Sequence, residues 1–264
     1  MLNENTLQLD NAIRKALARA EVREAANIEL DLLAAEIRRD GIRVTLSRCE
    51  RSLLALLGVQ RRPCSRDELA DALYPHLDPH IAAIQLKVYV HRVRRRLGDG
   101  GAIVFTGKGY KLGDSVRIDL FAAEAEVLAA TRAKGNLSPK ECEQLLSFRE
   151  RLRRRDKAWT GDCEWSTALE RRLEALAFDV TTALGEAALA VGDCATATSL
   201  AAEVFELDPC DERGAELAIR AALCVGDRAL AMRHLRRYER LVKEEFDAKP
   251  SPDLLALLDE KAVA

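Results

Sequence analysis

Nowhere in this sequence do eighteen apolar residues run uninterrupted, so no segment has the length of a membrane-spanning helix. The N-terminus, MLNENTLQLD, lacks the basic stretch followed by an apolar one that marks a leader, and the cytoplasm is the expected location. No CxxC pair occurs among the cysteines, and none lies beside a histidine at metal-ligand spacing. Neither zinc nor a disulfide framework is signalled, and Cys49, Cys64, Cys142, Cys163, Cys194, Cys210 and Cys224 are expected to be small buried thiols. Catalytic signatures are missing as well. His76, His80, His91 and His234 are scattered, Pro79 interrupts the nominal i,i+4 pair His76/His80, and there is no HExxH or GxSxG. The turn TGKG, Thr106 to Gly109, lacks P-loop spacing. Neither an enzyme nor a bound cofactor is therefore expected, and Trp159 and Trp165 read as anchors of core packing between helices.

A net charge of only -2 argues, taken alone, against a nucleic-acid binder. The distribution argues the other way. Between His80 and Leu112 stand Lys87, Arg92, Arg94, Arg95, Arg96, Lys108 and Lys111 against the single acid Asp99, while acids concentrate in the C-terminal half, as in FELDPCDERGAE. A basic island in an acidic chain confines anion binding to one face.

With 264 residues there is material for two domains. Residues 3–24 have the pattern of an amphipathic helix, with Leu9, Ile13, Ala16, Leu17 and Ala20 on one side. A loose heptad leaves two readings open, packing on a neighbouring domain and formation of a homodimer. In NIELDLLAAEIRRDGIRVTLS the pair Asp40-Gly41 separates two short runs, which predicts a hairpin in a small antiparallel sheet. Three helical patterns follow: one starting on Ser47 and stopping at Gly58, one with the capping box Ser65/Glu68 ending before Pro75, and one over Ile81–Leu97 stopping at Gly98. After DGG, the runs AIVF and YKLG joined by TGKG form a terminal hairpin. Small sheet, three helices and hairpin make the layout of a winged helix-turn-helix.

From about Arg117 the pattern is helical to the end, with helix starts at Ser138-Pro139 and Ser251-Pro252. Val191-Gly192-Asp193 recurs as Val225-Gly226-Asp227, 34 residues on, and each copy is followed by alanines (Ala195, Ala197; Ala229, Ala231). That period is the tetratricopeptide spacing, and Gly185, Ala197 and Pro209 fall where such a repeat wants small residues and its terminating proline. A further unit, EWSTALERRLEALAFD, is expected ahead of them. The expected architecture is mainly α: an N-terminal helix over 1–25, a winged helix over 26–115, and a helical-repeat domain over 116–264.

The stretch LKVYVHRVRRRL, Leu86 to Leu97, carries the functional question. At 100° per residue, Leu86, Val90, Val93 and Leu97 fall in a stripe about 60° wide, the core-facing side. Five fixed cations share these twelve residues with no acid among them. A structural helix normally interleaves Glu with Lys or Arg at i,i+4, because like charges there repel by a few tenths of a kcal/mol. Negative charge is therefore expected from outside the helix. Val88 points away from the apolar stripe, where an aliphatic group suits a thymine methyl in a major groove.

The residues from Ile28 to Leu112, with LSRCERSLLALL, SRDELADALYP, LKVYVHRVRRRLG and GKGYKL, resemble the winged-helix domain of the OmpR/PhoB type. The continuation, with IDLFAAEAEVLAA, KAWTGDCEWSTALERRLEAL and ALCVGDRALAMRHLRRYERLVKEEFDAKPSPDLLALL, resembles the bacterial transcriptional activator domain that follows such a winged helix in SARP-type regulators. The resemblance implies that His91, Arg92, Arg94 and Arg95 line the DNA-facing surface of the recognition helix, flanked by Lys87 and Tyr89. It matches Gly107, Gly109 and Tyr110 to the wing's Gly-x-Gly-Tyr, with Tyr110 structural. Thr106 departs from the pattern, which often has arginine there, and Lys108 is a substitute without the planar guanidinium fork. The resemblance also implies trans-activation through contact with RNA polymerase.

Two classes of function remain. One is a sequence-specific regulator of transcription that grips double-stranded DNA with Lys87, His91, Arg92, Arg94, Arg95 and Lys108. The other is a helical-repeat adaptor whose winged helix does not read DNA, a reading that Thr106 and the acidic overall charge favour.

Overall fold

The computed structural model describes residues 27–156 and 164–259. The amphipathic segment 3–24, Trp159 and Cys163 lie outside the described residues. The chain divides into two compact units that meet at Asp119 and Leu120.

In the first unit, strands β1 (Ile28–Asp31), β2 (Glu36–Arg39) and β3 (Ile42–Arg43) form an antiparallel meander. Ile28 and Leu30 are buried and Glu29 is exposed, the period-two alternation of a sheet with one covered face. Asp40 and Gly41 take φ of 51° and 79°, so both central residues of the loop are left-handed, as the expected Asp-Gly turn requires. Helix α1 (Arg48–Gln60) starts on the capping box of Ser47 and Glu50. It does not stop at Gly58. That glycine is buried inside the helix, where a Cβ would stand 2.8 Å from Ile118 Cδ1, and the left-handed residue that ends α1 is Arg61. The glycine serves close helix–sheet approach rather than termination.

Helix α2 (Arg66–Leu73) begins on the Ser65/Glu68 box. Helix α3 (Pro79–Leu97) has Asp78 as N-cap and Pro79 in its first turn, so it starts two residues before the periodicity shows it and takes in His80. Strands β4 (Ile103–Phe105) and β5 (Tyr110–Leu112) form the hairpin. A sixth strand, β6 (Val116–Ile118), pairs parallel with β1 and closes the sheet in the order β3-β2-β1-β6. On the sequence these residues fall at the head of the helical region. Three residues are too few for an alternating pattern to declare itself, and the partner strand lies far away in sequence.

The second unit is all helix: α4 (Asp119–Ala133), α5 (Pro139–Arg153), α6 (Glu164–Ala190), α7 (Cys194–Leu207), α8 (Glu212–Cys224), α9 (Arg228–Phe246) and α10 (Pro252–Asp259). The 34-residue repeat is geometric as well as sequential. Gly192 and Gly226 both take φ of 76°. Asp193 N–H donates to Ala188 O and Asp227 N–H to Ala222 O, each at 2.9 Å. Each aspartate then caps the next helix by accepting from Thr196 N (3.1 Å) or Leu230 N (2.8 Å). A Cβ on Gly185 would meet Leu217 Cδ2 at 2.6 Å, so its smallness sets the approach of α6 to α8. The unit expected ahead of the repeats is not separate: EWSTALERRLEALAFD forms the first part of the unbroken 27-residue α6.

The cysteines depart from expectation. Only Cys64 is buried as a free thiol among the described residues, whereas Cys194 and Cys224 form a disulfide with Cα atoms 5.6 Å apart. They stand at the N-terminus of α7 and the C-terminus of α8, two ends that the stacking of the repeats brings together. No spacing rule on the sequence shows that proximity.

Candidate nucleic-acid interface

Helix α3 is held by its expected stripe. Leu86, Val93 and Leu97 are fully buried and Val90 nearly so, each worth about 1.5–3 kcal/mol of burial. Its C-terminus is fixed from the sheet, since Arg39 Nη1 donates to Leu97 O at 2.8 Å. Gly98 both turns left-handed (φ 61°) and leaves room for that guanidinium, which a Cβ would meet at 1.9 Å. The outward faces of α3 are thereby fixed in direction.

The cations of α3 fall into two groups. Arg94 is half-buried, and its Nε and Nη2 donate to Ile103 O at 2.9 and 2.6 Å, tying the helix to the first strand of the wing. Arg96 donates to Thr45 O at 2.8 Å and lies 3.5 Å from the buried carboxylate of Glu50. The negative charge expected from outside the helix is thus supplied within the fold at Arg96, whose partner comes from α1. Lys87, His91, Arg92 and Arg95 are exposed and have no acidic partner within ion-pair distance among the described residues. Arg92 is steadied another way: its guanidinium lies 5.6 Å above the ring of Tyr89, which stacks on Tyr74 at 5.9 Å and an interplanar angle of 22°. Burial raises the pKa of both phenols above the usual tyrosine value and keeps these rings neutral.

The wing is a two-residue loop, with Gly107 at φ 83° and Lys108 exposed at the tip. Thr106 N–H and Oγ1 both donate to Gly109 O, at 2.9 and 3.1 Å, so Thr106 closes the hairpin instead of reaching outward. Gly109 is buried against the backbone before α2, where a Cβ would stand 2.2 Å from Cys64 O. Tyr110 is buried, in the structural role expected of it. The sequence does not show that Arg66, at the start of α2, lies 4.9 Å over the exposed ring of Phe105 in β4. A large aromatic beside a wing tip was the available signal, but its cationic partner lies 39 residues away in sequence.

A buried helix stripe, a cationic outer face and a hairpin with a basic tip, followed by helical repeats, define the class by fold: a winged helix joined to a helical-repeat unit. The chain belongs to the bacterial transcriptional activator domain family, whose model matches residues 118–260. A search of curated proteins returns no match to this sequence. Among solved structures, that of Mycobacterium tuberculosis EmbR in complex with a low-affinity phosphopeptide is similar, with a TM-score of 0.68 and 23% identity. The similarity covers 89% of this chain and 64% of that one, so this chain spans less than two thirds of EmbR's length. At that identity the likeness shows a shared fold. No helix among the described residues is long and apolar enough to cross a membrane.

Proposed function

We propose that the protein activates transcription by reading double-stranded DNA through the major groove with α3, while the helical-repeat unit contacts RNA polymerase or a second copy of the chain. The observation that carries this reading is the exposed face of Lys87, His91, Arg92 and Arg95, which has no acid of its own. Phosphates supply the missing charge, and affinity then falls with salt at a slope near -0.9 per phosphate neutralised. Arg92 and Arg95 read base edges, at roughly 1–3 kcal/mol of discrimination per good bidentate contact with guanine. Arg94 acts indirectly, by holding the wing against the helix, and Lys108 adds a phosphate contact.

Gel-shift titration with duplexes selected by the full chain tests this. Arg92→Ala and Arg95→Ala are expected to bind roughly tenfold to a hundredfold more weakly with melting temperatures unchanged. Wild-type affinity in both variants, together with a flat salt dependence, would leave the helical-repeat adaptor as the function.

A further inference from the structure

The face of α3 opposite its core stripe is not uniformly basic. Ile81, Ile84 and Val88 are 50%, 49% and 38% exposed, large fractions for aliphatic side chains on a helix whose other apolar positions are closed. With Leu86 at zero and 100° per residue, these three and His91, Arg92 and Arg95 all fall within an arc of about 100° centred opposite the core. One face, roughly 20 Å long at 1.5 Å per residue, is therefore aliphatic over its N-terminal half and cationic over its C-terminal half. Lys87 and Arg96 lie on its flanks.

Contiguous exposed aliphatics on one face mark a partner surface. An apolar protein partner fits poorly, because it would strip water from Arg92 and Arg95 on the same arc without supplying acceptors. The major groove supplies both requirements. Its floor presents the C5-methyl of thymine as an apolar surface, with N7 and O6 acceptors of guanine and phosphate walls beside it. Ile and Val are also stiff at χ1, so little side-chain freedom is lost on contact.

The geometry points to Ile81, Ile84 and Val88 as specificity-determining residues that select thymine methyl groups in the half-site beneath the N-terminal half of α3, with guanines read by the cationic half. This rests on the DNA-reading function proposed above and names its sequence class: a thymine-rich step next to a guanine-containing one.

The test uses the full chain. Duplexes are selected from a random library, and the best is compared with the same duplex carrying deoxyuridine in place of every thymine, which deletes only the methyl groups. Loss of a methyl contact is expected to weaken binding roughly fourfold each, so a duplex losing two is bound on the order of fifteenfold more weakly. Ile84→Ala and Val88→Ala, both at exposed positions, are each expected to narrow the thymine-to-uracil ratio by about fourfold, and the combined Ile81→Ala, Ile84→Ala and Val88→Ala variant to bind the two duplexes alike, because the partners of the methyls are gone. Equal binding of the two duplexes by the wild type, with Arg95→Ala still impaired, would overturn the methyl assignment and leave DNA reading intact. Failure to enrich any duplex, with no salt-dependent binding, would remove both. A change from dimer to monomer in Ile84→Ala by sedimentation, with DNA affinity unaltered, would assign the face to self-association and overturn the proposal.

Discussion

Helices α3 and α9 look alike on paper and differ in where their charges go. Helix α9 carries six Lys and Arg residues, one more than α3, so a count of cations would favour it as the nucleic-acid surface. Yet Glu239, Glu244 and Glu245 are interleaved in α9. Arg228 donates to Leu258 O, Lys243 pairs with Asp247, and Arg237 lies 4.4 Å over the ring of Phe205. Helix α3 has no acid, and after Arg94 and Arg96 are committed to the fold, Lys87, His91, Arg92 and Arg95 still face water together. A binding surface is defined by charge the fold leaves uncompensated on one face.

An acid placed on α3 itself should have the largest effect. His91→Glu places a carboxylate one turn from both Lys87 and Arg95, at i−4 and i+4, and sets a negative charge where phosphates or base acceptors would lie. Like-charge juxtaposition across an interface costs several kcal/mol, so DNA affinity should fall a hundredfold or more. His91 is exposed, and the circular dichroism spectrum should be unchanged. Retention of wild-type affinity would mean that this face does not approach DNA.

The second unit offers the next effect. Reducing the Cys194–Cys224 disulfide releases a loop of about 30 residues, and loop entropy puts the lost stability at roughly 2–4 kcal/mol. Scanning calorimetry with and without a thiol reductant should show the transition that contains α7 and α8 moving down, with the first unit's transition fixed. Coincident traces would show that the strap adds nothing. Arg94→Ala should follow at about 1.5–3 kcal/mol, the usual worth of a hydrogen bond from a charged group. Its Ile103 O partner loses both donors, so DNA affinity falls together with stability, unlike in Arg95→Ala. A stable Arg94→Ala that binds like wild type would remove the arginine from the positioning of the wing.

Asp193 is a smaller case with a pH signature. Hydrogen bonding from Thr196 holds its carboxyl below the usual aspartate value. A depressed folded pKa means that the cap's contribution is present above the unfolded value, near 3.9, and is lost as pH falls through the folded one. Asp193→Ala should lower the melting temperature at pH 7 by roughly 2–4 °C, and the difference should close under acid. A gap of equal size at pH 2 would exclude the carboxylate as its source.

Much of this was legible in the sequence because it is local. The capping box at Ser65, the helix start at Ser138, the Asp40-Gly41 turn and the stripe Leu86–Val90–Val93–Leu97 each depend on residues within about three turns of one another, and the Val-Gly-Asp repeat declares itself by recurring. What escaped depends on residues far apart. Strand β6 is recognisable only through β1, Gly58 reads as a helix stop until Ile118 is seen against it, and Cys194 meets Cys224 only through the stacking of α7 on α8. The candidate site divides the same way: the face of α3 follows from periodicity, but which arginines are free follows from Glu50, Thr45 and Ile103, none of which the helix sequence contains.

The smallest effect is expected on α9. Arg233 and Arg240 of α9 are exposed as well; Glu239 and Glu244 stand within a turn of Arg240, Arg236 and Arg237 within a turn of Arg233, and no exposed aliphatic stripe lies beside them. The three glutamates leave α9 a net charge of +3 (six cations less three acids) against +5 on α3, so it holds fewer counterions for DNA to release. Arg233→Ala combined with Arg240→Ala should therefore leave operator affinity within about twofold and the salt slope unchanged, while the two-residue counterpart on α3 removes about two units of slope. A loss of one or more units from the α9 pair, measured by the same titration, would show that the second unit also grips phosphates and that α3 does not account for the electrostatics alone.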